Sequence, residues 1–154
     1  MAQDMRKIID KLNDLIAIDY DAVSAYEAAI RRIQAPIIRD RLREFQGDHE
    51  RHISDLARFV RDFGGTPRER PDAKGFFLKA FTAVTSMMGD RAALSAMKTN
   101  EELTNRTYDR ALEELWPASV QDVLVRNRDD ERRHLSFIEQ SIAEGQVART
   151  EPIA

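Results

Sequence analysis

The chain contains no cysteine. That excludes disulfides, a thiolate nucleophile and any iron–sulfur or cysteine-ligated iron centre. Long apolar runs are missing too: none approaches the ~20 residues that a helix needs to cross a bilayer. There is no basic excess. With 24 Lys and Arg against 27 Asp and Glu the net charge is −3, which does not suit a phosphate backbone, and nucleic acid is not an expected partner. The arginines are interleaved with acids, the pattern of a solvated face. Proline and glycine are sparse, and no stretch keeps the period-two alternation of a strand. Residues 1–14 are amphipathic and carry acid, unlike a secretory or transit peptide, so the expected compartment is the cytosol.

What is present is helical periodicity. A chain of 154 residues, 42% hydrophobic and 33% charged, is long enough to bury a real core and reads as one domain over 1–154. The spacing predicts helices over 4–34, 36–63, 91–115 and 117–143, and a short apolar helix over 74–88 containing Phe76, Phe77 and Phe81. Pro36 and Pro117 suit first helical turns, Gly64-Gly65 a helix stop, and Gly89-Asp90 a break and cap. Trp116 reads as a packing anchor, and residues from Gly145 onward as a frayed tail. The apolar stripes advance in steps of three and four, for example Leu12, Ile16, Asp19, Val23, Tyr26, Ile30 and Ile33 on the first helix, and Leu94, Met97, Glu101, Thr104, Tyr108, Ala111 and Leu115 on the third. Such steps are the seam of a bundle packed knobs-into-holes. The expected fold is all-α: two helical hairpins joined by a crossover long enough to run the bundle's length.

The two hairpins are copies of one another. Shifting the sequence by 82 positions places Asp19 on Glu101, Tyr26 on Tyr108, His49 on Glu131 and His52 on His134. Ala29, Asp40, Leu42, Asp48 and Arg51 fall on Ala111, Asp122, Leu124, Asp130 and Arg133. The match runs without a gap from about residue 12 to 62 and contains all three histidines of the chain.

Each stripe is apolar except near its middle. There the four carry Asp19; His49 and His52; Glu101 with Thr104; and Glu131 and His134 with Asn127. A lone core histidine is usually a hydrogen-bonded structural residue. Six ionisable groups at dyad-equivalent places are harder to bury, because each unpaired charge costs several kcal/mol. Cations would balance them. Glu131 and His134 form an E-x-x-H pair on one helix face, and bundle dimetal sites take one carboxylate from each of two helices and an E-x-x-H from each of the other two. Asp19 and Glu101 suit the first role; His49/His52 and Glu131/His134 suit the second. Tyr26 and Tyr108, two turns beyond their carboxylates, could orient a ligand by a hydrogen bond or relay a radical; as plain core aromatics they would only need a partner for the hydroxyl.

With these residues the chain resembles the ferritin-like superfamily, the dimetal carboxylate bundles that include ferritins, bacterioferritins and rubrerythrins. More closely, it resembles small bacterial ferritin-like domains of unknown function, through Leu12-Asn13-Asp14-Leu15-Ile16 and the hairpin end His52 to Gly64-Gly65-Thr66-Pro67. The resemblance covers about residues 5–143. It implies non-haem iron, two per chain, with manganese or zinc as alternatives; redox chemistry with oxygen or peroxide; and a homodimer. The residues carried over as metal ligands are Asp19, His49, His52, Glu101, Glu131 and His134. Two depart from the family pattern: Asp19 is one methylene shorter than the usual Glu, and His49 stands where a bridging Glu is usual. Two divalent ions then meet three carboxylates rather than four, and Asp48, Glu50 or Asp21 could compensate only with a different helix phase.

The expected function is a non-haem di-iron or iron/manganese protein, a ferroxidase or an oxygen- or peroxide-reducing oxidoreductase in iron or oxidative-stress handling. Lacking cysteine, it would need an external electron donor unless iron is itself the substrate. The alternatives are a non-catalytic interaction or stress module with a degenerate or mononuclear site, and a substrate oxidase on the same scaffold.

Overall fold

The structure, a computed structural model, describes residues 2–71 and 89–150, with side chains described for 4–71 and 89–145. The helix expected over 74–88 lies outside the described residues. Among the described residues there are four helices: α1 (Ala2–Arg32), α2 (Pro36–Asp62), α3 (Asp90–Ala111) and α4 (Ala118–Thr150). α1 packs on α2 and on α3, and α4 packs on α3 and on α2, while the backbones of the diagonal pairs stay apart among the described residues. This is a ferritin-like four-helix bundle.

Polar ties at the two ends set the topology. At one end the carboxylate of Asp90 accepts from the backbone N–H groups of Gln34 at 2.7 Å and Ala35 at 3.1 Å. Asp90 was expected to cap its own helix; the N-cap is Gly89, without a side-chain cap, and Asp90 instead satisfies the turn between α1 and α2. At the other end Lys11 pairs with Glu114, and Asn13 holds the loop after α2 by donating to the Thr66 carbonyl at 3.1 Å and accepting from the Arg68 N–H at 2.8 Å. α2 therefore ends at the opposite pole from the start of α3.

The stop of α2 follows from its glycines. Gly64 has φ +83°, a left-handed conformation that costs glycine little. The Gly64 N–H donates to the Arg61 carbonyl at 2.9 Å and the Gly65 N–H to the Val60 carbonyl at 2.8 Å, satisfying carbonyls that the helix end would leave bare.

Three sequence expectations need correction. α3 ends at Ala111, not at 115, and Leu115 is fully exposed rather than on the inward stripe. Trp116 explains this: its indole N–H donates to the Ala111 carbonyl at 2.6 Å and takes the place against the core that Leu115 would have filled. On α1 the inward line runs through Ala22 and Ala29, with Val23 and Ile30 only half-buried. Alanines at the seam allow a neighbouring helix to come close. Finally, α4 continues to Thr150, past the tail expected from Gly145.

The core is split. One apolar cluster includes Leu12, Ile16, Leu56, Val60 and Leu124; the other includes Ile33, Leu42, Phe45, Leu94, Met97 and Ile138. Each fully buried Leu, Ile or Phe contributes about 1.5–3 kcal/mol. Between the clusters lies a polar layer.

Candidate metal centre

The polar layer contains Asp19 from α1, His49 and His52 from α2, Glu101 from α3, and Glu131 and His134 from α4, all fully buried. They fall into two overlapping groups. Asp19, His49, His52 and Glu131 form one; His49, Glu101, Glu131 and His134 form the other. Within each group one ligand atom per residue lies within 4.8 Å of every other. His49 and Glu131, equivalent positions in the repeat, belong to both. Asp48, Glu50 and Asp21 join neither.

Hydrogen bonds around the layer follow the dyad and cross between hairpins. The Tyr26 hydroxyl donates to Glu101 Oε1, and the Tyr108 hydroxyl donates to Asp19 Oδ2 at 2.7 Å. His134 Nε2 donates to Asp48 Oδ2 at 2.8 Å, and His52 Nε2 donates to Asp130 Oδ2 at 3.0 Å. Arg133 holds Asp48 at 2.5 Å, and Arg51 holds Asp130. Each arginine also reaches the acid on its own helix at 3.2 Å. Sequence reasoning missed the role of Asp48 and Asp130, which turn outward onto a histidine and an arginine instead of into the cluster. The signal was present, since both acids and both arginines repeat.

These contacts direct Nδ1 of His52 and His134 inward and fix Nε2 as a donor, the arrangement by which a carboxylate orients a metal-binding imidazole. His49 Nδ1 donates to Asp19 Oδ1 at 2.7 Å, and His52 Nδ1 reaches the same oxygen at 3.1 Å. Thr104 Oγ1 lies 2.9 Å from Glu131 Oε2 and 3.2 Å from Glu101 Oε2.

Charge balance governs the titration of the layer. Burial alone would raise Asp19, but the neighbouring imidazoles of His52 and His49 reverse that and lower it to about 2. Burial opposes a charge on His52, yet Asp19, Asp130 and Glu131 raise its pKa to about 10. The same contest raises His49, chiefly through Glu131, Asp19 and Glu101, and His134 through Asp48 and Glu101. Glu101 is held well below the usual carboxylate range because His134 and His49 outweigh its burial. Glu131 alone among the carboxylates is raised, by burial and by the charge of Glu101, against the pull of His49. Burial and the carboxylates also raise both tyrosines, which stay protonated as donors. Without metal, then, imidazolium charge offsets carboxylate charge.

The donor set fits a transition metal. His49 Nε2, Glu131 Oε1 and His134 Nδ1 are buried without a hydrogen-bond partner. Glu101 Oε1 lies 3.5 Å from both His49 Nε2 and His134 Nδ1, and Glu131 Oε1 lies 3.4 Å from Nδ1 of His49 and of His52. Those separations are long for hydrogen bonds but suit ligand atoms that share an ion at about 2.0–2.2 Å each. Mixed imidazole and carboxylate ligands suit Fe, Mn, Co or Zn and offer little to Ca or Mg.

The bundle has the ferritin-like fold, with carboxylates and histidines facing one another across its core. The chain belongs to the family described as "Domain of unknown function (DUF2383)", whose model matches residues 7–114. Glu131 and His134 lie beyond the matched segment. Among solved structures the chain is similar to "ferritin like, diiron-carboxylate proteins from Bacillus anthracis str. Ames", with 20% identity, 92% of this chain and 99% of that chain covered, and a TM-score of 0.71. No curated protein matches the chain. No described helix is long and apolar enough to cross a membrane.

Proposed function

We propose that the polar layer binds two transition-metal ions, iron first among them, and that the protein is a ferroxidase or an oxygen- or peroxide-reducing oxidoreductase. The observation that carries this reading is the pair of overlapping four-residue groups that share His49 and Glu131. One group supplies two imidazoles and two carboxylates, and so does the other. The structural neighbour described as diiron-carboxylate supports the same reading.

Bound Fe(II) would supply electrons, one from each ion, so that two electrons and two protons convert one hydrogen peroxide to two waters. The chain's own residues do the rest. Asp48 and Asp130 hold His134 and His52 with Nδ1 facing inward. Tyr26 and Tyr108 fix one oxygen each of Glu101 and Asp19. The apolar clusters on both sides limit water. Because no cysteine is present, reduction would come from a separate donor, or iron would itself be the substrate. A homodimer in the cytosol belongs to this proposal through the family resemblance.

A second reading is favoured by the hydrogen bonds from His49 and His52 to Asp19, which neutralise charge without metal. On that reading the layer is a structural polar network in a non-catalytic module. Elemental analysis after anaerobic Fe(II) loading and desalting separates the two. Two irons per chain, lost in His134→Ala, support the dinuclear redox reading. One would make the site mononuclear, and none would overturn metal binding in favour of the network. Oxygen or peroxide consumption by the iron-loaded protein then tests the chemistry.

A further inference from the structure

Around the metal layer the dyad breaks in one direction at two places. On the His134 side stand Glu101 and Phe45; their partners in the repeat, on the His52 side, are Asp19 and Asn127. Each exchange removes side-chain volume from the His52 side: a methylene, and a phenyl ring reduced to a carboxamide. All four residues are fully buried.

The consequences differ on the two sides. Phe45 stacks on the His134 ring, with centroids 4.3 Å apart and planes 30° apart, and meets Tyr26 edge-on at 6.4 Å. The His134 side is thus filled and lidded by an aromatic ring. On the His52 side no aromatic ring takes the place of Phe45. Asn127 Nδ2 makes a long contact of 3.4 Å to the Tyr108 hydroxyl, and Asn127 Oδ1 is buried without a partner. Leaving a buried amide atom unpaired is costly, so a ligand that pairs it would stabilise the site.

We infer that a small hydrogen-bonding molecule of two or three heavy atoms, the size of peroxide, enters the metal layer on the His52 side and is received by Asn127. The Tyr108 hydroxyl gives its proton to Asp19, so the amide nitrogen of Asn127 faces Tyr108 and the amide oxygen is free to accept from the ligand. Asn suits peroxide better than a carboxylate would, because it can accept an O–H without repelling a developing anion. The inference rests on the metal-binding reading above.

The test uses azide as probe and the Co(II)-loaded protein, whose visible bands respond to a new ligand without redox chemistry. Cobalt content is measured first. The expected result is one azide per chain in the unaltered protein, with affinity at least tenfold weaker in both Asn127→Phe and the milder Asn127→Leu at unchanged cobalt content. Phe45→Asn should open the other side and admit a second azide. Unchanged azide affinity in Asn127→Leu, with cobalt retained, would overturn this assignment alone. Loss of cobalt in either Asn127 variant would make Asn127 part of the metal-holding framework and overturn it as well. A protein that binds no cobalt at all would overturn the metal reading along with it.

Discussion

The hydroxyl of Tyr108 lies 2.7 Å from Oδ2 of Asp19, an acid on the other hairpin. Tyr26 makes the reciprocal bond to Glu101. Neither bond exists within one repeat, so each hairpin completes the carboxylate of its partner. Tyr108→Phe leaves Asp19 Oδ2 buried without this donor, which costs about 1–3 kcal/mol. At about 2–4 °C per kcal/mol for a chain of this size, calorimetry of the metal-free protein should show a Tm several degrees lower. An unchanged Tm would mean that the bond contributes nothing net.

The histidines give the metal-free protein a pH-dependent stability. His52 is raised from 6.5 to about 10, so its contribution is complete below pH 6.5 and is lost as pH rises through about 10. Asp19 is lowered from 3.8 to about 2, so its contribution is present above pH 3.8 and is lost as pH falls through about 2. The Tm should therefore be highest on the mildly acidic side of neutrality and decline as the solution becomes alkaline. Metal needs the same nitrogens free of protons, so binding should release protons and tighten with pH over that alkaline range. Titration calorimetry in two buffers of different ionisation enthalpy measures the release. Binding without proton release would exclude coordination through these imidazoles.

Asp130→Asn should keep the side chain's shape while weakening its hold on His52 Nε2. Metal affinity should fall about 10–100-fold by chelator competition, as it does when a carboxylate behind a ligating imidazole is removed. Asp48→Asn should act likewise through His134. Arg51→Ala, by contrast, breaks an ion pair whose arginine reaches solvent although its acid is partly buried, and stability should change by about 1 kcal/mol. Equal affinity for wild type and both Asn variants would remove these acids from any role at the site.

Two glycines on α2 or just after it predict changes of opposite sign. Gly47 lies inside α2, and a Cβ there meets nothing within 4 Å, so Gly47→Ala should stabilise by about 0.5–1 kcal/mol. Gly64 also has open space around it, but at φ +83° an alanine is strained, and Gly64→Ala should destabilise by about 1 kcal/mol. Urea denaturation of the two variants decides the matter; matching signs would contradict the helix-stop geometry.

The four helices and the level of the polar layer were legible because both depend on spacing alone. Steps of three and four mark an inward stripe, and a repeat in register puts Asp19, His49, Glu101 and Glu131 at one depth. Spacing says nothing about which way a side chain turns. Asp48 and Asp130 sit beside the histidines in sequence, yet only the three-dimensional crossing shows each one serving the histidine of the opposite hairpin. Helix ends were misplaced where a distant group competes. Asp90 had the sequence of a cap and went instead to Gln34 and Ala35. Leu115 continued the stripe arithmetically, but Trp116 turned back onto Ala111 and ended the helix.

The polar layer between the two apolar clusters has a mechanical consequence. Leu, Ile and Ala contacts are nearly interchangeable, and the apolar halves alone would tolerate one helix sliding along another. A slide of one turn, about 5.4 Å, would carry His49 or Glu131 into apolar surroundings and strand its partners, at a cost of several kcal/mol. The charged layer thus acts as a key across the four helices, locking their axial alignment whether or not metal is bound.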